Sequence, residues 1–497
     1  MIWSNGWIMT DYEALYNQFT QSDKSLLIAP AGYGKTHTIA ACLKHVYEAN
    51  PNEKALILTH THAGVASIKE KVKRIAPGIK CQIETISSFA QKYVHAFWRK
   101  EIPEQDDSGY FPFIINKAAI LFRRSPITLV LKSSYTRLFV DEYQDCTESQ
   151  HEMILALSNL LPTHILGDPL QGIFSFNGEE LVDVNLLTES FTPNSLMKPW
   201  RWSDNNIALG EWLKDLRKKL EERHAVAFNE LNSISGCNYY QVSENDIYES
   251  GSDYRSLINK IVYSRPPYTN LGNTLLISQK SIAERVKLNQ HLSYRFRLLE
   301  AFDEKDFYRI SKKFDDLINS PEAFNGLMVL LKGQPIRKRR IGTLITGLST
   351  YFSSDIDIPK RKVKINHIIP DLENFVSNPS YYNLSLCVDK ISDLPDVQFP
   401  RYDLLQELKK ALKNAALMNT SVFEEMKELR NIKRRVGRKV TGKCIGTTLL
   451  TKGLEFETVV VLDAHRFTDP KNFYVALTRA SKRLIVFSEM NTLGPFG

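Results

Sequence analysis

Cysteine is scarce in this chain, with six among 497 residues, at positions 42, 81, 146, 237, 387 and 444. No two form a CxxC pair, which excludes a local zinc ribbon or iron–sulfur motif. Cysteines so few and so scattered fit a reducing compartment. No apolar run reaches the ~18–20 residues that a membrane span needs. The first residues, Met1 to Leu15, lack a basic stretch leading into a long apolar core, so they read poorly as a signal peptide. The expectation is a soluble cytoplasmic protein with no membrane partner. Glycine (23) and proline (21) are at ordinary levels, and no fixed-period repeat or low-complexity tract is visible. Collagen-like, solenoid and wholly disordered classes are therefore excluded.

What is present is enough apolar material, 43% of residues, to build sizeable cores. The length allows about two to four domains. Short runs of apolar, often β-branched residues recur at Ser25–Ile28, Ala55–Leu58, Arg137–Val140, Thr163–Leu166, Thr274–Ile277, Val459–Leu462 and Leu484–Phe487. Runs of this kind fit strands buried on both faces of a parallel sheet. Helical patterns such as Thr36–Ala49 and His62–Ile75 lie between them, which predicts an α/β fold with parallel sheets. Ligands of such sheets bind at the carboxyl ends of the strands. From about 300 to 440 the rhythm stops and helical patterns dominate, as in Leu404–Leu417 and Val422–Lys439. The net charge of the chain is +8, and residues 301–440 hold 25 basic against 18 acidic residues, so nearly all the surplus lies there. Charge asymmetry of this sort points to a polyanion-binding face. Its densest clusters are Arg337–Arg340, Lys360–Lys364 and Lys433–Lys439.

Two motifs carry chemistry. Ala29-Pro30-Ala31-Gly32-Tyr33-Gly34-Lys35-Thr36 follows a strand and opens a helix, the setting a phosphate-binding loop requires. Gly32 and Gly34 let backbone N–H groups turn toward phosphate oxygens, and the helix adds its positive end. Lys35 would reach the β- and γ-phosphates and Thr36 would ligate Mg²⁺. Leu138-Phe-Val-Asp-Glu-Tyr-Gln-Asp145 runs an apolar strand into adjacent carboxylates. Asp141 suits the Mg²⁺ shell, and Glu142 suits a base that orients and deprotonates water. Together they specify nucleoside triphosphate hydrolysis, with ATP the default.

Further motifs then resemble, in order, those of the UvrD, Rep and PcrA-like superfamily 1 helicases. Val140–Asp145 resembles motif II, Thr59–Gly64 motif Ia, Thr85–Phe89 the DNA-contact motif after it, and Leu166–Gly178 motif III. Pro199–Trp202 resembles motif IV, Lys452–Phe456 motif V and Tyr474–Ala480 motif VI. The resemblance implies two RecA-like P-loop domains with parallel sheets, ATP between them, a reduced helical 1B insertion and a helical, basic 2B-like insertion. The corresponding boundaries are 1–195 for the first domain, with the 1B-like part at about 95–135. The second domain takes 196–295 and 440–497, and the 2B-like part takes 296–439. It further implies that Gln171 senses the γ-phosphate, that Arg201 and Arg479 reach it from the second domain, and that Glu455 contacts the nucleotide or couples the domains. For the family's adenine-reading Gln, both Gln18 and Gln21 are candidates. Single-stranded DNA or a tailed duplex is the implied partner, with 3′–5′ movement. His60, Thr85, Phe89, Phe174, Phe176 and Trp200 are the implied nucleic-acid contacts, the aromatic ones as stacking faces.

His60, Ser87, Leu449 and Asn177 depart from the family pattern, all on the DNA side. This opens a second reading: a DNA-responsive ATPase switch that regulates a partner nuclease without processive unwinding. The short helicase subunit of Gabija-type two-gene antiviral systems carries similar motifs, and resemblance to it implies such a nuclease. A stand-alone repair motor is the other role the resemblance allows. A small-molecule P-loop kinase would leave the two arginine motifs without a use.

Overall fold

The computed structural model describes residues 6–104, 107, 109–173, 180–196, 198–293, 295–299, 304–319, 368–393, 402–436 and 442–496. Two compact units make up the chain: 1–299 with 435–497, and 300–434.

The first unit holds two six-stranded sheets in which every pairing is parallel. The first lobe is built on β1 (Lys24–Ile28), β2 (Ala55–Thr59), β3 (Cys81–Thr85), β4 (Arg137–Val140), β5 (Thr163–Gly167) and β6 (Thr192–Ser195). They lie in the order β3-β2-β4-β5-β1-β6. Leu26, Leu56, Leu58, Phe139, Val140 and Ile165 are wholly buried, as expected of strands covered by helices on both faces. The second lobe uses β7 (Asn238–Gln241), β8 (Thr274–Ile277), β9 (Arg297–Leu298), β10 (Lys443–Gly446), β11 (Phe456–Val461) and β12 (Ala480–Ser488). Their order is β9-β10-β8-β11-β12-β7. Two parallel α/β sheets of this kind are the RecA-like pair that the motifs imply.

The apolar runs and the helices Lys35–Ala49 and His62–Ile75 fall where periodicity puts them, within a few residues. β3, β6, β7, β9 and β10 were not legible. Cys81–Thr85 mixes Gln and Glu into its run, and Thr192–Ser195 is an exposed edge strand with no apolar residue.

The stretch expected as a 1B-like insertion folds into the first lobe. Helices Tyr110–Leu121 and Ser125–Ser134 bury Ile114, Ala118, Leu121, Ile127 and Leu131 in one core with Leu138, Val140 and Met153. In the other unit, helices Glu304–Asn319, Ile369–Ser377, Tyr381–Ser392, Tyr402–Met418 and Val422–Val436 are described. Asp315 ties three of them: it accepts from the Tyr381 hydroxyl at 2.7 Å and from the backbone N–H groups of Val422 and Phe423 at 2.7 and 3.0 Å. The basic clusters Arg337–Arg340 and Lys360–Lys364, and the side chains of Lys433–Lys439, lie outside the described residues. Among the described residues no helix is long and apolar enough to cross a membrane.

At the amino-terminal edge of the first sheet, His164 is wholly buried. Its Nε2 faces the Arg137 Nη1 donor at 2.6 Å, so Nε2 is the acceptor and Nδ1 carries the proton, 2.7 Å from the Ser25 hydroxyl. Burial, helped by the Arg137 charge, pushes His164 down to about 3. An unfolded histidine titrates near ~6.5, so below that pH the unfolded chain binds the extra proton. The stability held in the neutral imidazole is full above ~6.5 and is lost as pH falls toward 3. The melting temperature should therefore drop between pH 7 and 5, and His164→Asn should drop less over that interval. Equal slopes in calorimetry would refute this account.

Candidate active site

The phosphate loop leaves β1 at its carboxyl end and turns on two left-handed glycines, Gly32 (φ 73°) and Gly34 (φ 92°). Gly32 is also tight for space. A Cβ there would lie 2.7 Å from the Trp202 ring and 2.9 Å from Arg201 Cβ. Ala29, Ala31 and Tyr33 are buried, while Pro30 and Thr36 are half-buried along the loop. The Lys35 ammonium is buried and donates to the Ala29 carbonyl at 3.0 Å.

β4 delivers the carboxylates. Asp141 is 3% exposed and its Oδ1 accepts the Glu142 backbone N–H at 3.0 Å. Glu142 itself sits at φ 55°, a left-handed position that costs a non-glycine residue and aims its side chain into the cleft. Its Oε2 accepts from the Gln144 side-chain amide at 2.6 Å. The Gln144 carbonyl in turn accepts the Asp168 backbone N–H at 2.9 Å, joining motifs II and III. Burial pushes Asp141 up, to about 7, and the adjacent Glu142 charge adds to the rise. Burial also acts on Glu142, but the Lys35 and Lys452 charges outweigh it and hold this carboxyl at about 2. One carboxyl of the pair is thus firmly ionised at neutral pH.

The second lobe closes the cleft from the amino-terminal edge of its sheet, because Lys452 and Glu455 precede β11 and Arg479 precedes β12. The expectation that motifs sit at carboxyl ends holds for the first lobe only. The Arg201 backbone N–H donates to the Gly32 carbonyl at 2.9 Å, and its Nε meets Glu455 Oε2 at 2.9 Å. The Trp202 indole N–H donates to the Ala480 carbonyl at 2.8 Å, pinning the phosphate loop and β12 to one buried ring. Arg479 is 2% exposed and donates to the carbonyls of Val475 at 3.0 Å and Leu454 at 3.2 Å, and to Gln171 Oε1 at 3.2 Å. Burial, then the Arg201 charge, lowers it to about 10, so it stays cationic at neutral pH. The Lys452 ammonium pairs with Asp145 and donates to the Gln171 carbonyl, with both side chains buried. Lys35, Asp141, Glu142, Gln171, Arg201 and Arg479 therefore stand together as neighbours, with Glu455 on the Arg201 side.

Several sequence expectations are corrected here. Trp200, 40% exposed, lies against the phosphate loop, 3.3 Å from where a Gly34 Cβ would stand, with its ring 5.7 Å from that of Tyr12. Its indole N–H donates to the Tyr12 hydroxyl at 3.2 Å. Gln18 and Gln21 are both exposed near the end of their helix, whereas Tyr12 and Tyr16 of the same helix stand on this aromatic side. Phe89 is wholly buried against Tyr93, Phe122 and Tyr135. Thr85 is buried and spends its hydroxyl capping the helix Ile86–Phe97 through the Ser88 N–H at 3.1 Å. His60 turns inward, with Nε2 3.4 Å from Cys146 Sγ, and burial together with the Lys452 charge pushes it down to about 3. Phe174 and Phe176 lie outside the described residues. Sequence reasoning passed over Tyr12, Asp145, Asp168, Trp202, Arg217 and Lys452. Asp145 and Lys452 stood inside quoted motifs, but no pattern told that they pair.

Thr36 and Asp141 offer a hydroxyl and a carboxylate, the hard oxygen donors that Mg²⁺ requires. Two are enough, since this ion keeps waters and substrate phosphates as its other ligands. Among the described residues there is no cluster of three or more His, Cys, Asp or Glu fit to hold a metal without a substrate.

Comparisons with known proteins give these similarities. A family model described as an AAA domain matches residues 12–177. The ATP-dependent DNA helicase Rep of Buchnera aphidicola subsp. Schizaphis graminum is 24% identical over 424 residues, covering 71% of this chain and 61% of that protein. The exonuclease/helicase protein RexA of Lactococcus lactis subsp. cremoris is 28% identical over 138 residues, covering 26% of this chain and 11% of that one. The crystal structure of Pif1 helicase from Candida albicans aligns with 99% of this chain and 96% of its own at 13% identity, with a TM-score of 0.40. The chain spans 61% or less of the length of these curated relatives. The chain is thus similar, over part of their length, to ATP-dependent DNA helicases.

The packing of Phe89 yields a stability test. Phe89→Ala should cost ~3–5 kcal/mol, as deletion of a buried aromatic does. A loss below ~1 kcal/mol in urea unfolding would return this ring to the surface.

Proposed function

We propose that the chain is an ATP-dependent DNA translocase or helicase that binds single-stranded DNA or a tailed duplex and moves 3′ to 5′. The observation that carries this reading is the convergence of Lys35, Glu142 and Gln171 from one lobe with Arg201 and Arg479 from the other. A hydrolase confined to one lobe has no need of arginines from a second. Their planar, always-charged forks suit the charge that develops on a transferring phosphoryl group.

In this reading Glu142, ionised and aimed into the cleft, accepts a proton from the attacking water. Lys35 and the backbone of the phosphate loop hold the β- and γ-phosphates. Thr36 and Asp141 would hold Mg²⁺, which would supply further charge neutralisation on the phosphate oxygens. Trp200 and Tyr12 offer the nucleotide base an aromatic wall. Nucleotide binding draws the arginines and the phosphate loop together, and release lets the lobes part, which steps the strand.

The test is ATPase activity with single-stranded DNA, duplex DNA and RNA side by side. Single-stranded DNA should stimulate most. Lys35→Ala and Glu142→Gln should each lose at least ~10²-fold in kcat. Trp200→Ala should raise KM for ATP with little change in kcat, as loss of uniform binding does. Normal DNA-stimulated turnover in Lys35→Ala would sink the proposal. ATPase without strand displacement on a tailed duplex would favour the alternative, a DNA-responsive switch acting on a partner nuclease. That reading draws on the burial of Thr85 and Phe89, which removes two expected DNA contacts.

A further inference from the structure

We propose that Arg217 is a positioning residue for ATP hydrolysis: it fixes the orientation of Gln171 through the buried carboxylate of Asp168. The inference rests on the ATPase reading and adds to it a residue outside every motif.

Arg217 lies in the helix Ile207–Glu221, which packs on the helix Pro470–Leu477 of the second lobe. Its side chain is 11% exposed and that of Asp168 is fully buried. Arg217 Nη1 reaches Asp168 Oδ1 at 2.6 Å. The same Nη1 also donates to the Tyr474 hydroxyl at 3.4 Å, and from its other side Arg217 is held by Glu221, 2.9 Å from Nε. The guanidinium is therefore fixed from two directions rather than swinging in solvent.

Asp168 passes this order on. Its Oδ1 also accepts the Leu170 backbone N–H at 3.3 Å, and its Oδ2 accepts Gln171 Nε2 at 2.6 Å. A primary amide has two faces of opposite character, and a 180° flip exchanges donor for acceptor. An ionised carboxylate only accepts, so it admits one of the two orientations. In that orientation Gln171 Oε1 faces Arg479 Nη2 at 3.2 Å. The flipped amide would set its own N–H groups against the guanidinium, donor against donor. The selection works only while the buried carboxylate keeps its charge and place, and a buried charge without a partner keeps neither. Arg217 is that partner. A purely structural ion pair would stabilise the fold equally well without Gln171 on the second carboxylate oxygen.

The test is a double-mutant cycle in single-stranded-DNA-stimulated ATPase, read as kcat and KM separately, with melting temperature measured on every variant. Arg217→Met is expected to lower kcat about tenfold with KM for ATP within about twofold of wild type. Arg217→Lys, which keeps the charge but not the fork, should recover part of the loss. Gln171→Ala combined with Arg217→Met should be no slower than Gln171→Ala alone, because Arg217 acts through that amide. Wild-type kcat in Arg217→Met, or a double variant slower than Gln171→Ala by the full single-variant factor, would overturn the inference. If Arg217→Met fails to melt cooperatively, Arg217→Lys takes its place in the same cycle under the same two criteria. A wild-type chain without DNA-stimulated ATPase would instead overturn the functional reading and this inference with it.

Discussion

A charge taken out of water must meet its opposite, and in this molecule that requirement joins the two lobes. Asp141, Asp145 and Asp168 are buried on the first lobe, and Arg479 and the Lys452 side chain are buried on the second. Lys35 faces Asp141 from the same lobe, while the others are met from across. Lys452 reaches across to Asp145, Arg217 to Asp168 and Arg479 to Gln171. Removing one member of such a pair typically costs ~3–5 kcal/mol, while the intact pair adds little net stability. Pairs of this kind are therefore better at specifying one relative placement of the lobes than at strengthening it.

The sheets explain which side chains come to the cleft. Parallel strands put all their carboxyl ends on one edge, so the first lobe presents the phosphate loop, Asp141 and motif III together. The second lobe offers the opposite edge, where residues that precede β11 and β12 gather. Trp202 marks the meeting point, stacked under Gly32 and hydrogen-bonded to Ala480. Its size leaves no room for a side chain at Gly32. The glycine thus answers both to the turn and to the neighbour.

Much of this was legible in the sequence. Phosphate-loop spacing, adjacent carboxylates and the alternation of apolar runs with helices reveal the parallel fold and the nucleotide site, because both are local patterns. The nucleic-acid side was not, because position in a motif says nothing about burial. Phe89 lies on the core face of its helix, and Thr85 is a helix cap. Trp200 lies against the phosphate loop because its short helix begins beside it. Arg217 shows the limit most plainly: its partner is 49 residues away in sequence. Nothing in Lys214-Asp-Leu-Arg217 distinguishes it from the solvated lysines around it.

β9 and β10 are neighbours in the second sheet and run parallel, Arg297 opposite Cys444 and Leu298 opposite Ile445. Between them the chain makes the whole unit 300–434. The path out of β9 starts at one edge of the sheet and the path into β10 arrives at the other. A hairpin cannot make that journey; parallel neighbours need a crossover of a dozen or more residues. The helical unit is thus an enlarged crossover rather than an ornament on a turn. Evolution could exchange its contents freely, but never shrink it to nothing, without unthreading the sheet it connects.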